Sequence, residues 1–360
     1  MSKKIALVHD FLREYGGGER VLEALHEMYP EAPVYTAFLD KKALGKHWDR
    51  FKDWDIKTTW FAKLPFIKKI YSPMRFLADK AFASLDLSEY DVVITSSNAF
   101  MAKAVKTPNG KQLCYCHTPS RVLYGYSTAS NWKKNPIIKF GGNLINHYMR
   151  VIDFKISQKV DIFIANSKET QKRIKKFYKR DSVVVYPPIN LVDSVVSEKR
   201  EYYLFVGRLE LQKHPELTIE ACKKLDLNLK IAGTGQMLKG LKKIADKDTK
   251  VLGSVSDKEL RELYANAKAL IYPAEDEDFG MIPVEAMSFG TPVIAHNSGG
   301  PKETIIDNKT GILFDDLSVE GLVGAIKKFE KIKFNSQEII KSTERFSKEK
   351  FEEKIKSLVE

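Results

Sequence analysis

The sequence predicts an α/β protein of two domains, each a parallel sheet covered by helices. Three observations carry this. The 360 residues, 43% of them apolar and 11% aromatic, exceed what one hydrophobic core usually supports and suffice to fill two. Short β-branched runs alternate with helical stretches, the pattern of parallel strands joined by crossover helices. The composition breaks once, at Tyr186-Pro187-Pro188-Ile189 and the polar stretch to Arg200, and the alternation then starts afresh, as at a linker. The domains are accordingly placed at 1–190 and 199–335, with 336–360 forming one or two C-terminal helices.

In chain order, Lys4 to His9 is the first strand, followed by the turn Gly16-Gly17-Gly18. A helix then uses Val21, Leu22, Leu25 and Met28 as its apolar face. Strands follow at Pro33 to Phe38, Asp91 to Thr95, Gln112 to His117, Ile162 to Asn166 and Ser182 to Tyr186. Ser167 suits a helix cap. After the linker come strands at Tyr202 to Val206, Leu229 to Ala232, Val251 to Leu252, Ala269 to Tyr272 and Pro292 to Ala295. Helices are expected at Glu216 to Lys224, Asp257 to Ala265 and Val284 to Phe289. Ligands in such folds bind beyond the carboxyl ends of the strands, here in a central cleft faced by both sheets.

The net charge is +12, from 59 basic and 47 acidic residues. Seven of the basic residues lie in Lys168 to Arg180, which reads as a solvated helix. Phe61 to Phe82 mixes Lys63, Lys68, Lys69, Arg75 and Lys80 with large apolar groups. That mixture suits either a helical hairpin packed on its domain or peripheral contact with an anionic membrane. Cys114, Cys116 and Cys222 are too few for a disulfide scaffold and lack metal-ligand spacing, so they read as core thiols. Neither a leader peptide nor a bilayer-length apolar run is seen, and the expected location is cytoplasmic, on the inner face of the membrane if bound to it.

Four stretches carry candidate chemistry. Gly17 and Gly18 open a helix, where backbone N–H groups suit phosphate oxygens, although the turn completes neither a dinucleotide fingerprint nor a phosphate-binding loop. Arg208 and Lys213 follow a strand end, placed to neutralise a pyrophosphate. The acidic loop Glu275 to Asp278 leads through Phe279 and Gly280 into a helix opened by Pro283-Val284-Glu285, which sets Glu285 in the first turn, where its carboxylate can grip a diol. Ser298-Gly299-Gly300 is a further glycine turn that can meet a sugar or its phosphate. In the first domain His117 closes a strand and suits a bond to a sugar, Arg121 suits an acceptor phosphate, and His9 or Asp10 suits an acceptor pocket.

Together these residues resemble family 4 of the retaining glycosyltransferases, of GT-B fold: two Rossmann-like domains whose parallel sheets face a central cleft. The resemblance rests on Glu277 and Glu285 within E-D-F-G-M-I-P-V-E-A-M, on Gly207-Arg208-Leu209 with Lys213, on G-S-V-S-D-K-E-L from Gly253, and on the turns at Gly16 to Gly18 and Gly299-Gly300. It implies an N-terminal acceptor-binding domain, a C-terminal nucleotide-sugar-binding domain and a last helix crossing back to the first. It implies that Glu285 binds ribose, that Glu277 holds the hydroxyls of the transferred sugar, and that Arg208, Lys213 and the amides of Gly17 and Gly18 neutralise the diphosphate. Phe279 and Gly280 belong to the same donor site, and His117 stands near the reacting centre. Neither a metal nor another cofactor is expected. The segment C-H-T-P-S-R-V-L-Y-G is similar to bacterial mannosyltransferases of surface polysaccharide synthesis. GDP-mannose is thus the first donor expected and a UDP-hexose the alternative, with a glycan or lipid-linked acceptor. One departure is Tyr186-Pro187-Pro188-Ile189-Asn190, where many relatives carry Asn-Gly-Val-Asp after the proline. A nucleotide-sugar epimerase is the nearest rival. A nucleic-acid binder fits the basic pI but lacks any recognition motif.

Overall fold

A computed structural model describes residues 3–126, 136–189 and 200–360, with the side chains of 136–140 left aside. Of the expected linker from Tyr186 to Arg200, residues 190–199 lie outside them. The described chain forms two compact units. One holds the residues up to Pro188 and takes in Glu349–Glu360; the other is Ile189–Lys348.

The first unit is built on a sheet of β1 (Ile5–His9), β2 (Val34–Thr36), β3 (Ile56–Thr58), β4 (Val92–Ser97), β5 (Lys111–Cys116), β6 (Ile162–Ala165) and β7 (Ser182–Val184), in the order β3-β2-β1-β4-β5-β6-β7. Every pairing is parallel. The second unit orders β8 (Tyr202–Val206), β9 (Leu229–Ala232), β10 (Thr249–Gly253), β11 (Ala267–Tyr272), β12 (Val293–His296) and β13 (Gly311–Phe314) as β10-β9-β8-β11-β12-β13, again all parallel. Central strands such as β4 and β8 are buried along their whole length, which is why they read as continuous apolar runs rather than as alternation.

In each sheet the strand order reverses once, between β1 and β4 and between β8 and β11. Such a reversal splays the flanking loops apart and opens a crevice at the carboxyl ends. The two candidate sites lie at these points.

Several expectations need correction. The short edge strands β3 and β13 were not foreseen; three and four residues are too few to show a period. Phe61 to Phe82 is not a two-helix hairpin. It breaks into a 3-10 turn (Trp60–Lys63), a helix (Ile67–Met74), a second 3-10 turn (Arg75–Leu77) and a further helix (Ala78–Ala83). The helix expected to open at Pro283 spans Met281–Ser288, capped by Gly280 at φ +84°. Proline is tolerated anywhere in a first turn, where no N–H is needed, so it marks a helix start only to within a residue or two. Glu285 consequently lies in the second turn.

Local chemistry explains the other helix starts. Ser167 accepts from the Thr170 amide at 2.9 Å, and Ser256 and Glu259 form a reciprocal capping box. The last helix (Lys348–Val359) inserts Phe351, Ile355 and Val359 into the first unit's core beside Leu7, Leu25 and Tyr115. All three cysteines are buried and free.

Candidate functional site

In the second unit Gly207 and Arg208 leave the end of β8, and their loop is seated by two glycines. A Cβ on Gly233 would lie 1.9 Å from the Gly207 carbonyl oxygen, and one on Gly235 2.5 Å from that of Leu209. Leu209 N–H donates to Thr234 O at 2.8 Å. The Arg208 side chain, 61% exposed, points its guanidinium near Glu210 at 3.8 Å, a distance too long for a tight bond.

Lys213 ends a 3-10 turn that the Glu275 amide pins by donating to Gln212 O at 3.1 Å. Its ammonium donates to the Glu277 carboxylate and, at 3.2 Å, to the Tyr272 hydroxyl. The side chains of Lys213 and Glu277 are only 11% and 17% exposed. A charge pair so poorly solvated persists because each neutralises the other. Glu285 accepts from the hydroxyl of the buried Tyr264 at 3.0 Å. Its carboxylate is half-buried and braced by that phenol, without the first-turn helix dipole expected from sequence.

The glycine turn at Gly299-Gly300 has a structural cause. A Cβ on Gly299 would stand 2.0 Å from Glu277 O, and one on Gly300 2.2 Å from Phe279 O. Gly300 N–H donates to Glu277 O at 2.8 Å. These glycines hold the acidic loop. Phe279 itself is buried edge-on against Phe346, with ring centroids 5.4 Å apart; its ring is core, and only its backbone faces the loop.

In the first unit Gly16 caps the helix Gly17–Met28, with its amide held by Glu19 Oε2 at 2.8 Å. The amides of Gly17 and Gly18 belong to the first turn, where helix geometry supplies no acceptor. Beneath them runs a buried polar chain. His9 Nδ1 and Ser96 Oγ are 3.0 Å apart, Ser96 Oγ and His117 Nε2 2.8 Å, and His9 Nε2 and Glu19 Oε1 3.4 Å. The order of the hydrogens follows the His9 tautomer: with its ring proton on Nε2 alone, His117 donates to Ser96, Ser96 to His9, and His9 to Glu19. That leaves His117 Nδ1 an acceptor. Burial, then the neighbouring His9, pushes the His117 pKa down to about 3. Burial raises the Glu19 carboxyl, but bonds from His9 and the backbone hold it below its ordinary value.

Gly18 lies against this chain, its Cβ position 3.6 Å from His117 Nε2. The structure thus gathers Gly18, His117 and His9, and adds Glu19, which follows the glycine turn in sequence without a role of its own, and Ser96, which sequence reasoning passed over. Asp10 does not line a pocket: its carboxylate accepts the amides of Asn98, Phe100 and Ala102 at 2.8 to 2.9 Å. It is a loop clamp. Arg121 opens a four-residue helix after β5. Among the described residues, no cluster of three or more His, Cys, Asp or Glu is placed to hold a metal ion.

The two parallel-sheet units have the GT-B-type fold, and the comparisons with known proteins make the chain a glycosyltransferase. Residues 188–352 match the family model described as glycosyl transferases group 1. An alpha-1,3/1,6-mannosyltransferase of Candida glabrata is 26% identical over 373 residues, covering 84% of this chain and 78% of that one. Among solved structures, HepE of Anabaena in complex with UDP-glucose superposes with a TM-score of 0.69 at 16% identity, covering 99% of each chain. A lipopolysaccharide outer core galactosyltransferase does so with 0.68 at 18%, covering 99% of this chain and 98% of that one.

Proposed function

We propose that this enzyme transfers a hexose from a nucleoside diphosphate sugar to a hydroxyl of a glycan or lipid-linked acceptor, with retention of anomeric configuration and without a metal. The observation that carries this reading is the grouping of Arg208, Lys213, Glu277 and Glu285 around the β8–β11 reversal. As the glycosidic bond breaks, negative charge grows on the departing diphosphate. Lys213, poorly solvated, and Arg208, which is largely exposed, are placed to stabilise it, and the low solvation of Lys213 makes its charge the more effective. Glu277, oriented by Lys213, serves as acceptor for sugar hydroxyls, and Glu285, oriented by Tyr264, for the ribose diol. In the first unit, taken by itself, the amides of Gly17 and Gly18 suit phosphate oxygens, while neutral His117 serves as a hydrogen-bond partner for a sugar hydroxyl rather than as an acid.

For the donor, a UDP-hexose is the better supported reading, because HepE, a solved structure of the same fold, holds UDP-glucose. GDP-mannose is the second, favoured by the mannosyltransferases among the sequence relatives. The test is transfer from a panel of UDP- and GDP-hexoses to polysaccharide and lipid-linked acceptors in the presence of EDTA, with the product anomer read by NMR. Transfer from one donor, insensitive to EDTA and lost in Glu277→Ala, is the expected result. Donor conversion without acceptor would instead indicate an epimerase, and an inverted anomer would remove retention.

A further inference from the structure

We infer that the outer face of the helix Pro136–Ser157, together with the neighbouring segment Trp60–Leu77, docks on an anionic lipid surface. The helix turns Asn146, Met149, Asp153 and Ser157 inward, all buried. A surface helix ordinarily opposes such a stripe with polar residues. Here the opposite side carries Leu144 (60% exposed), Tyr148 (55%), Ile145, Val151 and Phe154. Isolated apolar side chains on a surface need no explanation, but a continuous helical stripe of them does.

The segment Trp60–Leu77 shares a core with this helix, through Ile67 and Met149, and Arg75 Nη2 donates to Asn146 Oδ1 at 2.6 Å. It exposes Trp60, Ile70 and, most of all, Phe66, 79% exposed on a backbone held at φ +57°. A bulky residue in the left-handed region is strained, and nothing in the unit's own packing repays an outward-facing ring.

Charge selects the occupant. Trp60 to Leu77 contains Lys63, Lys68, Lys69 and Arg75 and no acid; the three lysines are exposed. The only acid in Pro136–Ser157 is Asp153, buried in an ion pair with Lys103 at 2.5 Å, whereas Lys155 is exposed. Aromatic and aliphatic side chains bordered by cations match an anionic headgroup layer, with lysine stems lying along the apolar surface. A second copy meeting this face symmetrically would set lysine against lysine. Among the described residues no helix is long and apolar enough to cross a membrane, so the geometry is that of a helix lying on the bilayer.

The test is flotation of the intact protein with vesicles of phosphatidylcholine alone or of equal parts phosphatidylcholine and phosphatidylglycerol. Binding is expected only to the anionic vesicles. The double variant Leu144→Ser/Tyr148→Ser should lower the partition coefficient by about tenfold or more, and Phe66→Ser by about tenfold. All three side chains are exposed, so unfolding midpoints should match the parent. Hydrogen exchange of the unaltered protein supplies a reading that needs no variant: anionic vesicles should protect the amides of Ile67–Met74 and Pro136–Ser157 while leaving Asp257–Ala265 unchanged. Absence of vesicle binding, protection elsewhere, or variants that bind like the parent would overturn the inference. So would a concentration-dependent dimer that the same variants abolish without any effect of lipid.

Discussion

Replacing Lys213 with methionine removes the charge while keeping most of the side-chain volume, and the structure sets two separate consequences. The ammonium sits on Glu277 and the Tyr272 hydroxyl, where water reaches little of either charged side chain. Loss of one preorganised, poorly solvated donor to the departing diphosphate should raise the barrier by about 3–4 kcal/mol, or lower kcat about 10²- to 10³-fold. The variant also strands Glu277 without its counter-charge, a penalty of about 1–3 kcal/mol in folding stability. The double variant Lys213→Met/Glu277→Gln separates these effects. Removing the stranded carboxylate should restore most of the stability and none of the turnover. Steady-state kinetics with saturating donor and urea denaturation of both variants measure the two quantities. A single variant with kcat within about threefold of the parent, or a double variant that regains turnover, would refute a role for Lys213 on the diphosphate.

Tyr264→Phe deletes the hydroxyl that braces Glu285 and should raise the donor KM about tenfold, with little change in kcat, as a bond to a charged group used in ground-state positioning would; an unchanged KM means that Glu285 needs no brace. Gly233→Ala places a methyl 1.9 Å from the Gly207 carbonyl on a backbone at φ +149°. It should displace the Arg208 loop, lowering both the unfolding midpoint and kcat/KM, whereas Gly240→Ala, with open space at its Cβ position, should leave both near the parent. His117, neutral in the fold down to a pKa of about 3, titrates in the unfolded chain near the ordinary value of about 6.5. Between those values the unfolded chain binds the extra proton, so the stabilisation is complete above about pH 6.5 and falls by up to about 1.4 kcal/mol for each pH unit below it. Urea midpoints measured from neutral pH towards about pH 4 should therefore drop less steeply in His117→Gln than in the parent; equal slopes would mean that His117 is not held neutral.

Much of this protein was legible in the sequence because parallel strands and their crossover helices leave local marks. Tyr202–Val206, Leu229–Ala232 and Asp257–Ala265 were bounded to the residue, since buried β-branched or aromatic runs and a Ser-x-x-Glu cap are properties of neighbouring residues. Arg208, Lys213 and Glu277 were visible because they lie in loops that follow strand ends, and Glu285 because it lies in the helix after the acidic loop, one turn further in than expected. What sequence could not supply was which of these meet. Lys213 and Glu277 are 64 positions apart, and only the parallel pairing of β8 with β11 brings their loops together. Ser96 gave no signal of its own, and became part of a buried chain because β1 and β4 are neighbours in the sheet. Phe279 sat in the same acidic motif as Glu277 yet its ring turned into the core, and Gly299 and Gly300 lie close against the backbone of the acidic loop. Hydrophobic period and turn chemistry are short-range, and so were determined by the sequence alone. Strand order, and with it every contact that positions a charge, is a choice among long-range pairings that only the folded chain makes.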